Sequence, residues 1–533
     1  PEMFKVWLRQ QGQWMAFNKL SEIDNANEFW FALQEGAPEV NYDDKINVLS
    51  MIYYTHAGMW GNLPKPYDPE KDPLPPLPEQ VAAINQSMKD ITGMEGLYDK
   101  VGTRKPNGDL AVEKWSVYAH LLAQFDLDPE LPWGDYLIKN TLTRTETAKK
   151  QNGGELDGFY YDGLTSGLDY SPEHFKTHDA PILWDPVNKK PFINNFYSSV
   201  EFARGTAELL RPKGQVTMMN GALGDSFYVI PWLDILGAET GLRIPREDFN
   251  YIRTVIYHKP FLTLLKGNYE QEIARPEMEL FMKRCLAYGV YPGFFDWPPS
   301  GLGPGGQYWN HPRYYERDRD LFRKYEPLCR NLAMAGWEPV TNARSSDANV
   351  FLERYGPDPQ GVVWLSALNE DSKPHPTTLT IDAKALGLDP KTVRAQDLVS
   401  GQSLPLKQTA AGVTCDLNVA PEAVLAIQLA SPQAAAQWRV AQSVEALDRG
   451  MVQRKVDAEK PAIVVNWRPS GPTYDRETVA GKTVLVFKPG SSMRQWAMLF
   501  QGSPQPLKLK VRAAAQGIAE QTATVRCNLA WVS

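Results

Sequence analysis

The chain has 533 residues, of which 43% are hydrophobic and 22% charged, and its formal net charge is −7. Since a domain averages roughly 150 residues, this length predicts about two to four domains. No run approaches the ~18 apolar residues that a membrane helix needs. The negative charge and the lack of a Lys/Arg cluster exclude a nucleic-acid partner. We therefore expect a neutral or polar small molecule as the partner.

Aromatic residues are the main departure from an average composition. The chain contains 16 Trp, 23 Tyr and 20 Phe, many of them beside Gly and Pro in predicted loops. Flat rings suit the faces of sugars, although aromatics equally fill a large core. The four cysteines lie far apart with no CxxC pair, so they indicate neither a zinc site nor a disulfide framework.

Short apolar runs alternate with longer helical patterns up to about residue 347, which is typical of βα repeats and a parallel sheet. Predicted helices include 133–151, 196–211 and 276–288, with apolar residues at spacings of three and four. The predicted strands are 29–36, 46–56, 117–126, 158–163, 215–221, 234–239, 261–265 and 288–295. Eight strands alternating with helices predict an α/β fold, a (β/α)8 TIM barrel over residues 1–347.

The pattern changes after the predicted barrel. Residues 348–432 carry short alternating runs separated by turn residues, which predict a C-terminal antiparallel β-sandwich. Residues 433–533 are predicted to form a linker helix, at 434–456, and a second β-rich module that binds carbohydrate or is truncated. No signal peptide opens the chain at Pro1, and Ser533 follows a strand-like run, so we expect a processed or truncated piece of a longer protein.

The stretch GELDGFYYDGLTSG, residues 154–167, ends a strand on an acid. Three strand-forming aromatic residues precede Asp162, and Gly158 and Gly163 flank the segment. The carboxyl end of a barrel strand points into the active-site bowl, so Asp162 is expected to face substrate. The glycines allow a sharp bend and close approach of a ligand. The alternative is an ordinary turn acid.

Other predicted strands also end on polar side chains. Glu239 ends the sixth, while Glu35, His56 and Asn220 end three others, and Asp296 and Trp297 follow the last. Glycosidic cleavage needs two carboxylates, one to attack or stabilise the oxocarbenium-like carbon and one to protonate the leaving oxygen. We predict Asp162 and Glu239 as this catalytic pair. We expect the remaining members of this rim to bind substrate, together with Tyr160: Glu35, His56, Asn220, Asp296 and Trp297.

The roles within the pair are assigned from the expected surroundings. Asp162 is predicted to stay charged as the nucleophile, held by a hydroxyl of Tyr160 or Tyr161. Glu239 follows Leu236, Gly237 and Ala238, so desolvation is expected to raise its pKa and suit it to the acid/base role. Two further acids, Asp225 and Asp234, compete for that role, with helix capping or a turn as their alternative.

No metal or cofactor is predicted. His174 and His178 have a spacing of four that could bind metal on a helix, but Pro181 breaks the pattern and no further ligand is evident. Lys266 and Arg253 could bind an anionic substituent, with a solvated surface as the default for either.

Several motifs together resemble a known group of enzymes. GFYYDG, then MMNGAL and DILGAETG, a closing helix ending LAMAGWEPVTNA and the β-sandwich after it resemble bacterial (β/α)8 glycoside hydrolases of the α-galactosidase and endo-α-N-acetylgalactosaminidase type. The resemblance covers about residues 29–430. It implies that Asp162, ending the fourth strand, is the nucleophile and that Glu239, ending the sixth, is the acid/base. The chain departs from the group in lacking a KxD nucleophile motif and in offering Glu rather than Asp as the acid.

The sequence therefore predicts a bacterial, secreted glycoside hydrolase, extracellular or periplasmic, that cleaves a poly- or oligosaccharide with retention. The sequence is also compatible with a homo-oligomer. The alternative is a non-catalytic glycan-binding or structural protein on a barrel scaffold, because a fold does not fix a function. A third reading is a different barrel hydrolase or lyase that uses His56 with an acid.

Overall fold

The computed structural model divides the chain into two compact units, residues 1–431 and residues 432–533. No helix among the described residues is long and apolar enough to cross a membrane. The residues described are 10–16, 18–37, 39–55, 58–62, 73–114, 120–152, 154–162, 164, 167–221, 228–295, 308–410, 412–439, 463–470, 474–479, 482–487 and 492–500.

Strands and helices alternate through the first part of the first unit. Its strands, in chain order, are β1 (Gln13–Met15), β2 (Phe31–Glu35), β3 (Leu49–Thr55), β4 (Gly58–Asn62), β5 (Val112–Lys114), β6 (His120–Gln124), β7 (Gly158–Asp162), β8 (Leu168–Asp169), β9 (Leu183–Asp185), β10 (Lys190–Asn194), β11 (Val216–Asn220), β12 (Ile235–Thr240) and β13 (Phe261–Leu265). Its helices are α1 (Val40–Ile46), α2 (Leu77–Thr92), α3 (Leu97–Val101), α4 (Pro132–Asn152), α5 (Phe196–Leu210), α6 (Arg246–Ile256), α7 (Arg275–Tyr288) and α8 (Pro312–Ala335). The three helices predicted at 133–151, 196–211 and 276–288 are confirmed as α4, α5 and α7.

A parallel sheet in the order β1-β2-β3-β7-β11-β12-β13 forms the wall of a barrel. Tyr291 and Phe294 extend this wall through parallel bridges to β13. The Tyr291 hydroxyl donates to Gln11 Oε1 at 2.6 Å, which joins this eighth run to the chain just before β1. The strand order and the helices between the strands confirm the predicted TIM barrel.

The barrel strands are apolar because both of their faces are covered. All five residues of β13 are buried, and so are the first four of β7. Parallel strands with side chains in the barrel on one face and helices on the other are near-continuous hydrophobic runs. Only the last residue of β7, Asp162, is partly exposed, and it lies where the strand leaves the wall.

One predicted barrel strand is wrong. The run 117–126 contains β6, which pairs antiparallel with β4 and β5 in a separate small sheet. The first barrel strand is instead β1, whose three residues are too few to give a periodic signal. Because one strand was missed and another counted in error, the numbering of later strands is unaffected, and Asp162 ends the fourth barrel strand.

Two excursions leave the barrel on the side of its candidate site. The first runs between β3 and β7 and contains β4, β5, β6, α2 and α3. The second follows β7 and forms the antiparallel sheet β8-β10-β9. Both begin at the carboxyl end of a barrel strand, so they lie on the rim where barrel enzymes build their active sites.

The rest of the first unit is a β-sandwich, as predicted. One antiparallel sheet has the order β14-β16-β17-β23-β19-β20 and the other β15-β18-β22-β21, and the buried side chains of the core include Val363, Leu365, Leu379, Ile381 and Val413. The strands are β14 (Trp337–Glu338), β15 (Ala343–Ser345), β16 (Val350–Tyr355), β17 (Val363–Asn369), β18 (His375–Ile381), β19 (Arg394–Asp397), β20 (Ser403–Leu404), β21 (Lys407–Thr409), β22 (Gly412–Val419) and β23 (Ala423–Ala430).

The sandwich packs directly against helices α6 and α7. The hydroxyls of Tyr355 and Ser366 donate to the Ala287 carbonyl oxygen at 2.8 and 2.7 Å. Arg253 of α6 is only 5% exposed and pairs with Glu353 at 2.9 Å. The expectation that Arg253 lies on a solvated surface or binds a substrate anion is therefore wrong, because the side chain is buried in this contact. The predicted domain boundary at residue 347 lies inside this unit and stays a prediction.

The second unit begins with a helix at 432–439. Its strands are β24 (Ile463–Ser470), β25 (Tyr474–Val479), β26 (Lys482–Phe487) and β27 (Ser492–Phe500). β24 pairs antiparallel with β27, and β25 with β26. The remainder of the linking helix predicted at 434–456, and the strands predicted after residue 500, lie outside the described residues.

Candidate active site

Four polar side chains come together because neighbouring parallel strands end at one rim. Glu35, Asp162 and Asn220 are the last residues of β2, β7 and β11, and Glu239 is the penultimate residue of β12. In the sheet register Asn220 stands directly opposite Asp162. Residues two apart in a strand share a face, so Tyr160 points into the barrel beneath Asp162.

The Asn220 amide lies between the two predicted catalytic carboxylates. Its Nδ2 donates to Asp162 Oδ1 at 3.2 Å and to Glu239 Oε1 at 3.3 Å. These two oxygens are therefore no farther apart than the sum of the two distances, about 6.5 Å. One amide nitrogen thus holds both acids at one side of the barrel mouth.

Asp162 is held by two donors. The Tyr53 hydroxyl donates to Asp162 Oδ2 at 2.6 Å, and Asn220 serves the other oxygen. Burial raises the pKa of Asp162, and the charge of Glu239 raises it further, while the hydrogen bonds from Tyr53 and Asn220 lower it. The pKa of Asp162 on balance lies above its ordinary value. The hydroxyl partner predicted for Asp162, Tyr160 or Tyr161, is replaced here by Tyr53 of the adjacent strand.

Glu35 is a buried acid below this pair. Its side chain is 1% exposed, and its Oε2 accepts the Trp14 indole N–H at 2.7 Å. Burial, followed by the charge of Asp162, raises the pKa of Glu35 well above its ordinary value. The mouth of the barrel therefore concentrates three carboxyl groups, two of which are harder to ionise than free acids.

Aromatic rings form the floor under the acids. The Tyr160 ring lies between Trp14 and Tyr53, with centroid distances of 5.2 and 5.4 Å. Gly237 leaves room for this arrangement, because a Cβ there would lie 2.6 Å from Met218 Cε and 3.2 Å from Trp14 Cζ3. The floor thus depends on β1, which places Trp14 inside the barrel.

Glu239 is more accessible than predicted. Its side chain is 34% exposed and pairs with Lys266 Nζ at 3.3 Å. The expected desolvation by Leu236, Gly237 and Ala238 is wrong, since these residues are buried in the wall while the carboxylate leaves it toward solvent. Lys266, expected at a solvated surface by default and at an anion site as the alternative, is 47% exposed and lies beside the predicted acid.

The structure brings together five of the predicted site residues, Glu35, Tyr160, Asp162, Asn220 and Glu239. Their roles stay predictions. The other candidates, His56, Asp225, Asp296 and Trp297, lie outside the described residues.

Asp234 is not part of the site. It precedes β12 at the opposite end of the barrel, where it pairs with Arg211 at 3.0 Å and accepts the Thr217 backbone N–H at 3.0 Å. Its competing role as the acid is therefore wrong, because the two ends of a barrel strand face different sides of the molecule.

Sequence reasoning missed Trp14 and Tyr53. Trp14 lies in a strand of three residues. Tyr53 lies two residues before the end of β3 and reaches up to Asp162 on the next strand. The available signal was the strand INVLSMIYYTH itself, in which alternation places Tyr53 on the same face as the residue at its end. In the part of the chain that the structure describes, a group of side chains with the geometry of metal ligands lies elsewhere, at Asp126, Asp169 and His174.

No family model matches the chain, and no curated protein sequence matches it. Three of the similar solved structures act on carbohydrates according to their names. A maltogenic α-amylase from Thermotoga neapolitana is 11% identical with a TM-score of 0.43, covering 73% of this chain and 79% of its own. A β-L-arabinopyranosidase from Geobacillus stearothermophilus, in complex with arabinose, is 10% identical with a TM-score of 0.42, covering 80% and 98%. An α-glucosyl transfer enzyme is 9% identical with a TM-score of 0.44, covering 79% and 99%. Likeness at this level does not assign an activity, which has to be argued from the side chains of the site.

Proposed function

We propose that the protein is a glycoside hydrolase that cleaves a poly- or oligosaccharide with retention of configuration. The observation that carries this proposal is the Asn220 amide, which donates to Asp162 and to Glu239 at once. Two carboxylates fixed side by side at the open end of a barrel, above an aromatic floor, supply the groups that glycosidic cleavage requires.

The spacing of the carboxylates supports retention over inversion. Retaining enzymes hold their two carboxyl groups about 5–5.5 Å apart, whereas inverting enzymes leave about 6.5–9.5 Å for a water molecule. The upper limit of about 6.5 Å between Asp162 Oδ1 and Glu239 Oε1 falls at the lower edge of the inverting range. Direct attack by a carboxylate therefore suits this pair better than attack by an interposed water.

Asp162 is proposed as the nucleophile. Its two oxygens are each held by one donor, from Tyr53 and Asn220, which fixes the carboxylate in one orientation and favours its charged form. In the first step an Asp162 oxygen bonds to the anomeric carbon as the bond to the leaving oxygen breaks. In the second step water attacks that carbon, and the carboxylate leaves.

Glu239 is proposed as the acid/base. It must give a proton to the leaving oxygen and then take one from water, so it needs contact with both substrate and solvent. Its carboxylate, 34% exposed at the mouth of the barrel, meets this need. Lys266, 3.3 Å from Glu239 Oε2, orients the carboxylate and supplies N–H donors for substrate hydroxyls.

Glu35 and Tyr160 are proposed to act from below by supporting the nucleophile. Burial and the charge of Asp162 raise the pKa of Glu35 well above its ordinary value, so Glu35 is proposed to stay neutral and to leave the negative charge on Asp162. The Tyr160 ring packs against Tyr53 and so holds the residue whose hydroxyl donates to Asp162.

The experiment compares substitutions of the pair on a panel of aryl glycosides and oligosaccharides. Asp162→Asn is expected to abolish turnover, and Glu239→Gln to lower kcat by about 10²–10⁴-fold. Glu247→Gln, which removes an exposed carboxylate from α6, is the matched control and should leave the rate unchanged. Folding of each variant is checked by circular dichroism.

Azide rescue separates the two roles. Added azide should restore turnover to Asp162→Ala with a glycosyl azide of inverted configuration, and to Glu239→Ala with retained configuration. If both folded variants hydrolyse as fast as the parent, the pair is wrong. If the protein binds glycans with no turnover, and binding survives loss of both acids, the chain is a glycan-binding protein on a barrel scaffold.

A further inference from the structure

A second group of acids surrounds His174, outside the candidate active site. Asp126 follows β6, Asp169 lies in β8, and His174 lies in a short 3-10 turn at His174–Lys176. All three side chains are buried, with exposures of 0%, 0% and 2%. The sequence suggested only His178 as a companion for His174, whereas the structure gives it two carboxylates.

The two carboxylates face the same nitrogen of the imidazole ring. His174 Nε2 lies 2.9 Å from the Lys100 carbonyl oxygen, and because a carbonyl only accepts, Nε2 carries a proton. The other nitrogen, Nδ1, contacts Asp169 Oδ2 and lies 3.6 Å from Asp126 Oδ2. In a neutral ring Nδ1 has only a lone pair to offer these oxygens.

The charges in this group are not balanced by hydrogen bonds. Even if Nδ1 is protonated, it holds one proton for two carboxylates. Asp126 Oδ1 accepts the Asp128 backbone N–H at 3.0 Å, whereas Asp126 Oδ2, which is fully buried and 3.6 Å from Nδ1, has no well-aligned donor among the described residues and only the Ser198 hydroxyl nearby. Two carboxylates buried beside one imidazole nitrogen are costly in the interior unless a cation compensates both.

His375 in the sandwich shows the contrasting arrangement. It also lies between two acids, but Nδ1 faces Asp347 at 2.7 Å and Nε2 faces Asp371 at 3.2 Å. Each ring nitrogen can donate its N–H to one carboxylate, as expected of an imidazolium. At His174, Nε2 donates to a backbone carbonyl. Only Nδ1 is left for the two acids, so the ring cannot donate to each of them as His375 does.

The surroundings of the group hold its members in place. Asp169 Oδ1 accepts the backbone N–H groups of Arg104 at 2.8 Å and Ser171 at 2.9 Å. The Lys100 carbonyl fixes the orientation of the His174 ring. Metal-ligating histidines usually donate their other N–H to a carbonyl or carboxylate, and ligating carboxylates are themselves hydrogen-bonded.

We propose that Asp126, Asp169 and His174 bind one divalent cation of the zinc class, through His174 Nδ1 and one oxygen of each carboxylate. The three ligand atoms lie within 4.8 Å of one another. An imidazole nitrogen with two carboxylate oxygens suits Zn²⁺, whereas Ca²⁺ takes oxygen ligands alone. The cation gives Asp126 Oδ2 a charged partner and neutralises both acids.

The site is a structural one. It ties the chain after β6, in the excursion between barrel strands three and four, to the chain that follows β7 and Asp162. A cation here therefore stabilises the rim of the barrel next to the candidate active site without touching it.

The test uses the full chain. The protein is stripped with a chelator, reloaded with Zn²⁺ and freed of excess, and zinc per chain and Tm are measured. We expect one zinc per chain and a rise in Tm of about 5 °C on loading, because a ligand that binds only the folded state stabilises it. If no zinc is retained and Tm does not respond, or if Ca²⁺ alone gives these effects, the proposal is overturned.

Substitutions locate the cation. Asp126→Asn and His174→Gln should lose the retained zinc and its effect on Tm. His178→Gln, from the same segment, and His375→Gln, from the other pair of acids, are the matched controls and should keep both. Unchanged zinc content in Asp126→Asn and His174→Gln overturns the proposal.

X-ray absorption of the zinc-loaded parent protein measures the ligand distances around the metal and does not depend on the folding of any variant. Imidazole and oxygen ligands at about 2.0–2.2 Å are expected, whereas a sulfur shell at about 2.3 Å places the metal on cysteine and overturns the assignment.

Discussion

The hydrogen bonds to individual carboxylates govern the charge at the mouth of the barrel. Tyr53 and Asn220 favour the ionised form of Asp162, while burial and Glu239 oppose it. Burial and the charge of Asp162 raise the pKa of the Tyr53 hydroxyl, so it remains a donor at any working pH. The balance between these effects sets the pH at which Asp162 ionises, as its proposed role as the nucleophile requires.

Tyr53→Phe should therefore shift the acid limb of the pH–rate profile upward. The substitution removes a hydrogen bond that lowers the pKa of Asp162, so ionisation of the proposed nucleophile moves to higher pH. A hydrogen bond to a charged group contributes about 1.5–3 kcal/mol, which corresponds to a shift of about one pH unit or more. The measurement is kcat/KM against pH.

Tyr161→Phe is the control for this prediction. Tyr161 lies on the same strand as Asp162 but packs edge-on against Phe202 of α5, on the outer face of the barrel wall. The pH–rate profile of Tyr161→Phe should match that of the parent protein. An unshifted acid limb in Tyr53→Phe would mean that Asp162 does not set it.

Asp43 is expected to make the free energy of unfolding, rather than the activity, depend on pH. It is fully buried, accepts the Ser50 hydroxyl at 2.7 Å, and has a pKa raised to about 8, chiefly by burial. Because the pKa is raised in the folded state, ionisation destabilises the fold increasingly as pH rises from about 4 to 8. Asp43→Asn should thus stabilise the protein by at least about 1 kcal/mol at pH 8 and by less at pH 5.

Urea unfolding at the two pH values checks this, with the exposed Asp248→Asn as control. Equal effects of Asp43→Asn at pH 5 and pH 8 would contradict the prediction.

At this scale the sequence predicts the acids better than their partners. Asp162 and Glu239 stand out because each ends an apolar strand, which is a local signal. Tyr53 was missed because its contact depends on the register between β3 and β7, and the exposure of Glu239 depends on where its side chain leaves the wall. Neither is encoded in a short stretch of chain.

Buried polar contacts join the barrel to the sandwich. Arg253 of α6 pairs with Glu353 of β16, and its guanidinium lies 4.6 Å from the Trp337 ring centroid. The Trp337 indole N–H also donates to Glu353 at 3.0 Å. These contacts form one network across the two parts of the first unit.

Arg253→Met should destabilise the protein by about 2–4 kcal/mol, because it leaves the Glu353 carboxylate poorly solvated without its cation. The urea midpoint measures the change. Arg344→Met, on an exposed arginine of β15, should have little effect. Adding Glu353→Gln to Arg253→Met should recover part of the loss, and no recovery would show that the ion pair is not the cause.

Sequence periodicity at the scale of elements recovers buried strands and amphipathic helices. β13 and α5 are examples, since each is specified by its own apolar pattern. β1 and β6 were misjudged for opposite reasons. β1 is too short to show a period, and the apolar run of β6 gives no sign that its partners are antiparallel strands outside the barrel.

The whole chain consists of two units, and the described candidate site residues all lie in the first. A chain ending at residue 431 is therefore expected to fold and to keep the proposed glycosidase activity within about twofold, because the barrel and sandwich share one buried interface. The measurements are kcat/KM and Tm of the shortened chain beside the parent. Loss of the cooperative transition, or of activity in a folded chain, would assign the second unit a part in the site.

The central claim is that Asp162 forms a covalent bond to the sugar. The measurement that tests it most directly is mass spectrometry of peptides after reaction with a panel of activated 2-deoxy-2-fluoro glycosides, which slow the second step of retaining enzymes. We predict an adduct of one glycosyl unit on the peptide that contains Asp162, absent in Asp162→Asn. Turnover with inverted configuration and no adduct, or an adduct on another carboxylate, would contradict this account.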